Sequence, residues 1–158
     1  MMALRILAVC AAALLVASCS ALPSWMGGGP SISRISIVSE PGANANVPIG
    51  VDLVMTSDPD AAASIMKLSA NDWFVAKDND SLSGRDRFLR DYPDSVVIWH
   101  RELATGQILR DESVDSPGGM VLAVVFALYA SEGEHRLRLG NSSDVHLTLD
   151  TDDVRLSK

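Results

Sequence analysis

Few side chains in this sequence have types and spacings suited to chemistry. There are three histidines, His100, His135 and His146, and two cysteines, Cys10 and Cys19. No two histidines have the spacing of a zinc site such as His-Glu-x-x-His, in which imidazoles one helical turn apart share a metal. Each reads instead as a strand histidine. No Gly-x-Ser-x-Gly elbow is present to raise a serine nucleophile, and no glycine-rich loop opens a helix to cradle a phosphate. Gly27-Gly28-Gly29 precedes no helix. The run Asp150-Thr151-Asp152-Asp153 has the composition of a calcium loop, but it lacks the glycine and the distal glutamate of an EF-hand. It reads as a hairpin turn. An enzyme or ligand carrier needs a pocket of convergent polar or titratable groups, and no such constellation is visible. The expectation is a protein that is not an enzyme, with no metal, cofactor or small-molecule substrate.

The thiol of Cys19 is the exception. Arg5 gives a positive start, Ile6 to Ala17 form an uncharged apolar run, and Ala17 and Ser18 close it with small side chains. That is the pattern of an export signal over residues 1–18, too short to cross a ~30 Å bilayer core as a helix. Leu15-Val16-Ala17-Ser18-Cys19 resembles a bacterial lipobox. There a cysteine thiol takes up a diacylglycerol, the leader is cut just before it, and the new amine is acylated. The rival reading is ordinary cleavage that leaves Cys19 free. A buried CH₂ contributes about 0.8 kcal/mol, so one acyl chain holds reversibly and three anchor stably. Ser20 follows the cysteine where an aspartate would retain the protein at the inner membrane. That resembles the sorting signal for the outer membrane and implies its periplasmic face. Residues 19–30 are then the lipidated cysteine and a flexible tether, because Pro23, Gly27-Gly28-Gly29 and Pro30 disfavour a helix or a central strand. About ten such residues set a domain ~15–20 Å from the membrane.

The folded part follows from residue 31. About 140 residues remain after cleavage, enough to bury roughly two thirds of the surface of the unfolded chain. Both cysteines lie in the N-terminal segment, so the domain forms no disulfide. The chain has 20 acids and 13 bases. Loss of Arg5 with the leader leaves 12 bases against 20 acids, a net charge of about −8. Such a surface repels phosphate and disfavours nucleic acid and anionic lipid as partners.

Alternation of β-branched residues marks a strand from Ile32 to Ser39 and a half-buried strand from Ile49 to Thr56. Glu40 to Asn46 between them is a loop rich in turn formers. Residues 58–92 change to helical patterning. Asp58 caps a helix that starts at Pro59, Ser69 or Asn71 caps one through Trp73, and Ser83 to Tyr92 forms a third, with Phe88, Leu89 and Tyr92 on one face and Pro93 stopping it. Trp73 and Phe74 are expected to plug one end of the fold, with an interface anchor as the rival role. Arg85, Asp86, Arg87 and Arg90 are expected to form a solvated face, with a docking patch for an acidic partner as the rival. Strands return at Ser95–Leu103, Gln107–Val114, Met120–Ala130, His135–Leu139, Val145–Leu149 and Val154–Leu156. The apolar Met120–Ala130 run belongs at the centre of a sheet. About eight short strands without an internal repeat imply a mainly β protein, an antiparallel sandwich with a short helical insertion.

The order of lipobox, tether, strand, asparagine-bearing loop, strand, helical insertion and further strands resembles the outer-membrane lipoprotein of the type VI secretion system, the TssJ (SciN) family. The stretches that carry the resemblance are Asn46-Val47-Pro48-Ile49-Gly50-Val51-Asp52-Leu53, Ser69-Ala70-Asn71-Asp72-Trp73-Phe74, Val124-Val125-Phe126-Ala127 and the hairpin Val145 to Leu156. The second strand of that family usually carries an arginine and runs into Tyr-Gln-Leu, where this chain has Asp52-Leu53-Val54-Met55 and an acidic turn. The resemblance implies a transthyretin-like β-sandwich without enzymatic activity. It implies binding to the periplasmic domain of a large inner-membrane protein of the TssM type. The contact maps to Glu40, Pro41, Gly42, Ala43, Asn44, Ala45, Asn46 and Val47. Asn44 and Asn46 can offer hydrogen bonds to a partner, or serve turn formation alone. The alternative is a lipoprotein of another envelope assembly with a non-enzymatic binding role.

Overall fold

The computed structural model describes residues 31–79 and 81–157. The export signal (1–18), Cys19 and the tether (19–30) lie outside the described residues. Eight strands form at or near the predicted positions: β1 Arg34–Ser39, β2 Ile49–Thr56, β3 Val96–Leu103, β4 Ile108–Ser113, β5 Leu122–Leu128, β6 Arg136–Arg138, β7 Asp144–Leu149 and β8 Val154–Leu156. They make two four-stranded sheets, ordered β4-β1-β7-β8 and β3-β2-β5-β6, and the fold is the expected mainly β sandwich.

All strand pairs are antiparallel except β1 with β7, which run parallel from Arg34↔Asp144 to Ser39↔Leu149. That pair corrects the purely antiparallel expectation. Its partners are far apart in the chain, and local alternation carries no information about direction across such a distance. As a result β1 is an interior strand, paired on both edges.

Between the sheets, Ile35 and Ile37 of β1, Val51, Leu53 and Met55 of β2, Val125 of β5 and Leu147 of β7 pack into one core. The second strand was expected to be half-buried, and it is buried on both faces. Val54, Asp52 and Thr56 are also fully covered. The cause is the helical insertion: α1 Pro59–Ile65, α2 Ala70–Phe74 and α3 Gly84–Asp91. These helices lie on the outer face of the β3-β2-β5-β6 sheet and close a second core with Val54, Val96, Val124 and Phe126.

Local chemistry explains each helix start. The Asp58 carboxylate accepts from the N–H groups of Asp60 and Ala61, both at 2.8 Å. Ser69 and Asp72 form a reciprocal capping box, and the Ser83 hydroxyl accepts from the Asp86 N–H. Trp73 does not plug an end of the sandwich. It lies flat on Phe126, with ring centroids 5.0 Å apart and planes at 7°, and beside Phe88 at 5.9 Å. Burying a side chain of that size stabilises by roughly 4–6 kcal/mol before entropy is counted. Leu89 is 40% exposed, unlike buried Phe88. Adjacent helical residues point about 100° apart, so the two do not share a face.

Candidate partner-binding end of the sandwich

Glu40–Val47 joins the end of β1 to the start of β2. Its central residues turn left-handed: Gly42 at φ +86°, Asn44 at +49°, Ala45 at +52° and Asn46 at +67°. Glycine adopts this region freely and asparagine tolerates it, whereas Ala45 there costs about 1–2 kcal/mol. Such a run persists because its surroundings fasten it. The Asn44 Oδ1 accepts from the Ala130 N–H at 2.6 Å, its Nδ2 donates to the Val47 carbonyl at 3.2 Å, and its backbone N–H donates to the Thr151 carbonyl at 3.1 Å. The Thr105 hydroxyl donates to the Glu40 carbonyl and accepts from the Gly42 N–H, both at 2.9 Å. The Glu40 carboxylate meets Arg155 at 3.2 Å, and Arg155 reaches Asp150 at 2.5 Å.

These bonds sort the eight predicted residues. Pro41, Ala45, Asn46 and Val47 face solvent, with Val47 50% exposed. Glu40 and Gly42 are partly covered, and Ala43 and Asn44 are buried. Asn44 spends its amide inside the fold, so Asn46 is the asparagine of the pair that faces outward. The three connections that hold the loop, residues 104–107, 129–135 and 150–153, belong to the same end of the sandwich, because β3, β5 and β7 all finish there. The chain enters at the opposite end. There the Ile32 N–H donates to Ser116 Oγ at 3.2 Å and the Ser33 N–H donates to the Ser143 carbonyl at 2.8 Å. A six-residue strand separates the two ends, which is about 20 Å.

The histidines are dispersed. His146 is exposed in β7. His135 is buried just ahead of β6, with Nε2 3.0 Å from the Ser131 carbonyl and Nδ1 3.2 Å from Asp153 Oδ1. Beside it, Tyr129 places its hydroxyl against the carbonyls of Asp150 and Asp153. Burial pushes the Tyr129 phenol up, and the charges of Asp153, Asp150, Asp152 and Glu40 push it further. The turn 150–153 joins β7 to β8, as predicted. No group of three or more His, Cys, Asp or Glu among the described residues is arranged to hold a metal ion.

One polar cluster was missed in the sequence. Asp52 is fully buried on the outer face of β2. Its Oδ2 accepts from Trp73 Nε1 at 2.9 Å and lies 3.4 Å from Arg85 Nε, and its Oδ1 lies 2.5 Å from His100 Nδ1. Arg85 therefore turns inward rather than lying on a solvated face. Asp86 caps α3 through Ser83, and Arg90 pairs with Asp91. The available signal was a lone aspartate inside an otherwise uncharged strand, which when buried demands partners.

No protein-family model and no curated protein matches the chain. Solved structures do match in shape. A chain of the structure described as a type VI membrane complex has a TM-score of 0.58 at 14% identity, over 81% of this chain and all (100%) of that one. The Serratia marcescens protein Lip, described as a membrane-bound component of the type VI secretion system, gives 0.56 at 15% identity, over 82% and 97%. A chain of the structure described as the type VI protein TssM C-terminal domain from EAEC gives 0.55 at 11% identity, over 80% and 97%. At such identities the likeness is one of fold. The sandwich implied by the family resemblance is the sandwich observed.

Proposed function

We propose that this protein is the lipoprotein of a type VI secretion membrane complex. Lipid on Cys19 anchors it to the periplasmic face of the outer membrane, and the Glu40–Val47 end binds the periplasmic domain of an inner-membrane protein of the TssM type. The role is architectural and involves no catalysis. The observation that carries this reading is the opposition of the two ends. The chain enters the sandwich at one end, and a loop fastened by Asn44, Thr105 and Arg155 crowns the other. A tether at the first end aims the second away from the membrane. The fold shared with chains of type VI membrane structures adds to it.

The test is crosslinking in the native host with a C-terminal tag, followed by identification of what is recovered. Wild type is expected to bring down a large inner-membrane secretion protein. Changing Pro41, Ala45, Asn46 and Val47 to serine while keeping Gly42 and Asn44 removes the exposed crown without its fasteners, and is expected to abolish recovery. A Cys19→Ser variant is expected to leave the membrane fraction. Recovery of an unrelated envelope complex, unaffected by the loop changes, refutes the reading.

A further inference from the structure

The loop end also has a charge pattern that specifies its partner's chemistry. Glu40, Glu132, Glu134, Asp150, Asp152 and Asp153 gather in and beside the connections that hold the loop. Three arginines near this end are engaged. Arg155 bridges Glu40 and Asp150. Arg136 gives its guanidinium to the Met66 and Leu68 carbonyls, at 2.5 and 2.7 Å, and to Glu134. Arg101 pairs with Glu112. Glu132 and Asp152 are exposed and make no ion pair among the described residues. The upward push on the Tyr129 phenol from four of these carboxylates reports the same negative field at a buried site.

Shape adds an independent observation. The start of α2 docks on this end, where the Ala70 N–H donates to the Glu134 carbonyl at 2.8 Å. Between Ala70–Asn71 and Tyr129–His135 lies a groove of about 280 Å³. It adjoins the base of the loop, because Ala130 on its wall donates to the buried Asn44. The surface is thus an apolar crown of Pro41, Ala45 and Val47 next to a groove lined by Glu132, with the acidic 150–153 turn joined to the groove wall through Asp153 and His135. An apolar partner alone would leave Glu132 and Asp152 desolvated and unpaired, whereas a basic one neutralises them.

We propose that the partner meets this end with a basic segment, its apolar side chains on the Ala45–Val47 crown and its lysines or arginines in the groove against Glu132 and over the turn that carries Asp152. The proposal rests on the tethering reading. The experiment measures binding of the full lipoprotein in detergent to the purified periplasmic domain of the TssM-type protein from the same host, at low and high salt. Three forms are compared: wild type, the exchange Glu132→Lys with Asp152→Lys, and the isosteric Glu132→Gln with Asp152→Asn. The expected result is affinity about tenfold or more lower for the reversal, a smaller loss for the isosteres, and salt dependence that shrinks in both. Both positions are exposed, and unchanged thermal unfolding controls for folding. If wild type binds and the serine crown variant does not, yet the charge reversal stays within about twofold, the basic-segment proposal is overturned and the tether stands. If wild type does not bind at all, the tethering reading falls and this proposal falls with it.

Discussion

Replacing Asp52 separates what its hydrogen bonds contribute from what its charge contributes. The carboxylate is fully buried, while the side chains of Arg85 and His100 are 32% and 41% exposed. In Asp52→Ala the two bases can turn to water, so neither becomes a stranded buried charge. Trp73 cannot follow them, because its fully buried ring is packed against Phe126 and Phe88 and its Nε1–H is left without an acceptor. An orphaned buried donor costs about 1–3 kcal/mol, and the small void left by the carboxylate adds roughly 1 kcal/mol. Asp52→Ala is therefore expected to lose about 2–4 kcal/mol. Asp52→Asn keeps an oxygen for Trp73, and what it gives up in attraction to two partly exposed bases is offset by no longer burying a charge, so it is expected to lose less than Asp52→Ala. Urea unfolding followed by tryptophan fluorescence measures both. Equal losses in the two variants would refute the argument, because charge rather than the Trp73 bond would then set the cost.

Gly84→Ala is a second stability probe. A Cβ there would sit 2.8 Å from the Asp72 carbonyl and 2.9 Å from Leu68 Cδ1, and forcing α3 away from α2 is expected to cost about 1–3 kcal/mol in denaturant unfolding. Asn44→Ala strips the loop of its fastener and is expected to lose about 1–3 kcal/mol, whereas Asn46→Gly, at an exposed and unbonded position whose φ of +67° glycine adopts freely, is expected to change stability by less than about 0.5 kcal/mol. Partner binding should invert that order, Asn46→Gly weakening it without loss of fold. The Lys77 ammonium, followed by the Ser69 hydroxyl, holds the Asp72 carboxyl below its usual range. Its contribution is present above the ordinary carboxylate range and is lost as pH falls through the lowered folded value. Thermal unfolding across acid pH should show that loss in wild type and a flatter profile in Asp72→Asn.

Much of the fold was legible because its determinants are local. Alternation placed β2 and β8 to the residue and the other strands within a few. Asp58 marked one helix start by its capping chemistry, Ser69 or Asn71 was expected to cap the next, and the third was placed from Ser83 by its apolar face, none of which needs tertiary information. What lay beyond reach was every decision made between distant segments: the parallel pairing of β1 with β7, and the face on which the insertion settles. That second choice explains several differences at once. With helices over the β3-β2-β5-β6 sheet, β2 loses its solvent face, Trp73 becomes a covering residue and Arg85 finds a buried carboxylate. The second strand of the family that the sequence resembles usually carries an arginine, and the sequence departs from it at that point. Here that strand carries Asp52, and the bases come from α3 and β3. At the candidate site the loop's position was readable, but the direction each residue faces was not. Asn44 and Asn46 are the same residue two positions apart, and only the reach of Ala130 and Thr151 separates a buried fastener from an exposed side chain.

The topology also bears on how a tether of this design carries load. Under the proposed role, tension enters just before β1 and leaves by the loop just after it. The path between membrane and partner is then Arg34 to Ser39, six residues of covalent chain. β1 is already extended, so it has little length to give, and β4 and β7 hold it on both edges. Pulling along it shears both ladders together instead of unzipping one bond at a time. The rest of the sandwich need not transmit the force. Its task is to keep the loop's left-handed turn fastened, through Asn44 to the β5–β6 connection and through Glu40 and Arg155 to the β7–β8 turn. A strand placed at a sheet edge would serve the same connectivity poorly, because it would peel. The parallel β1–β7 pair, the one feature that breaks the antiparallel pattern, is what makes β1 interior.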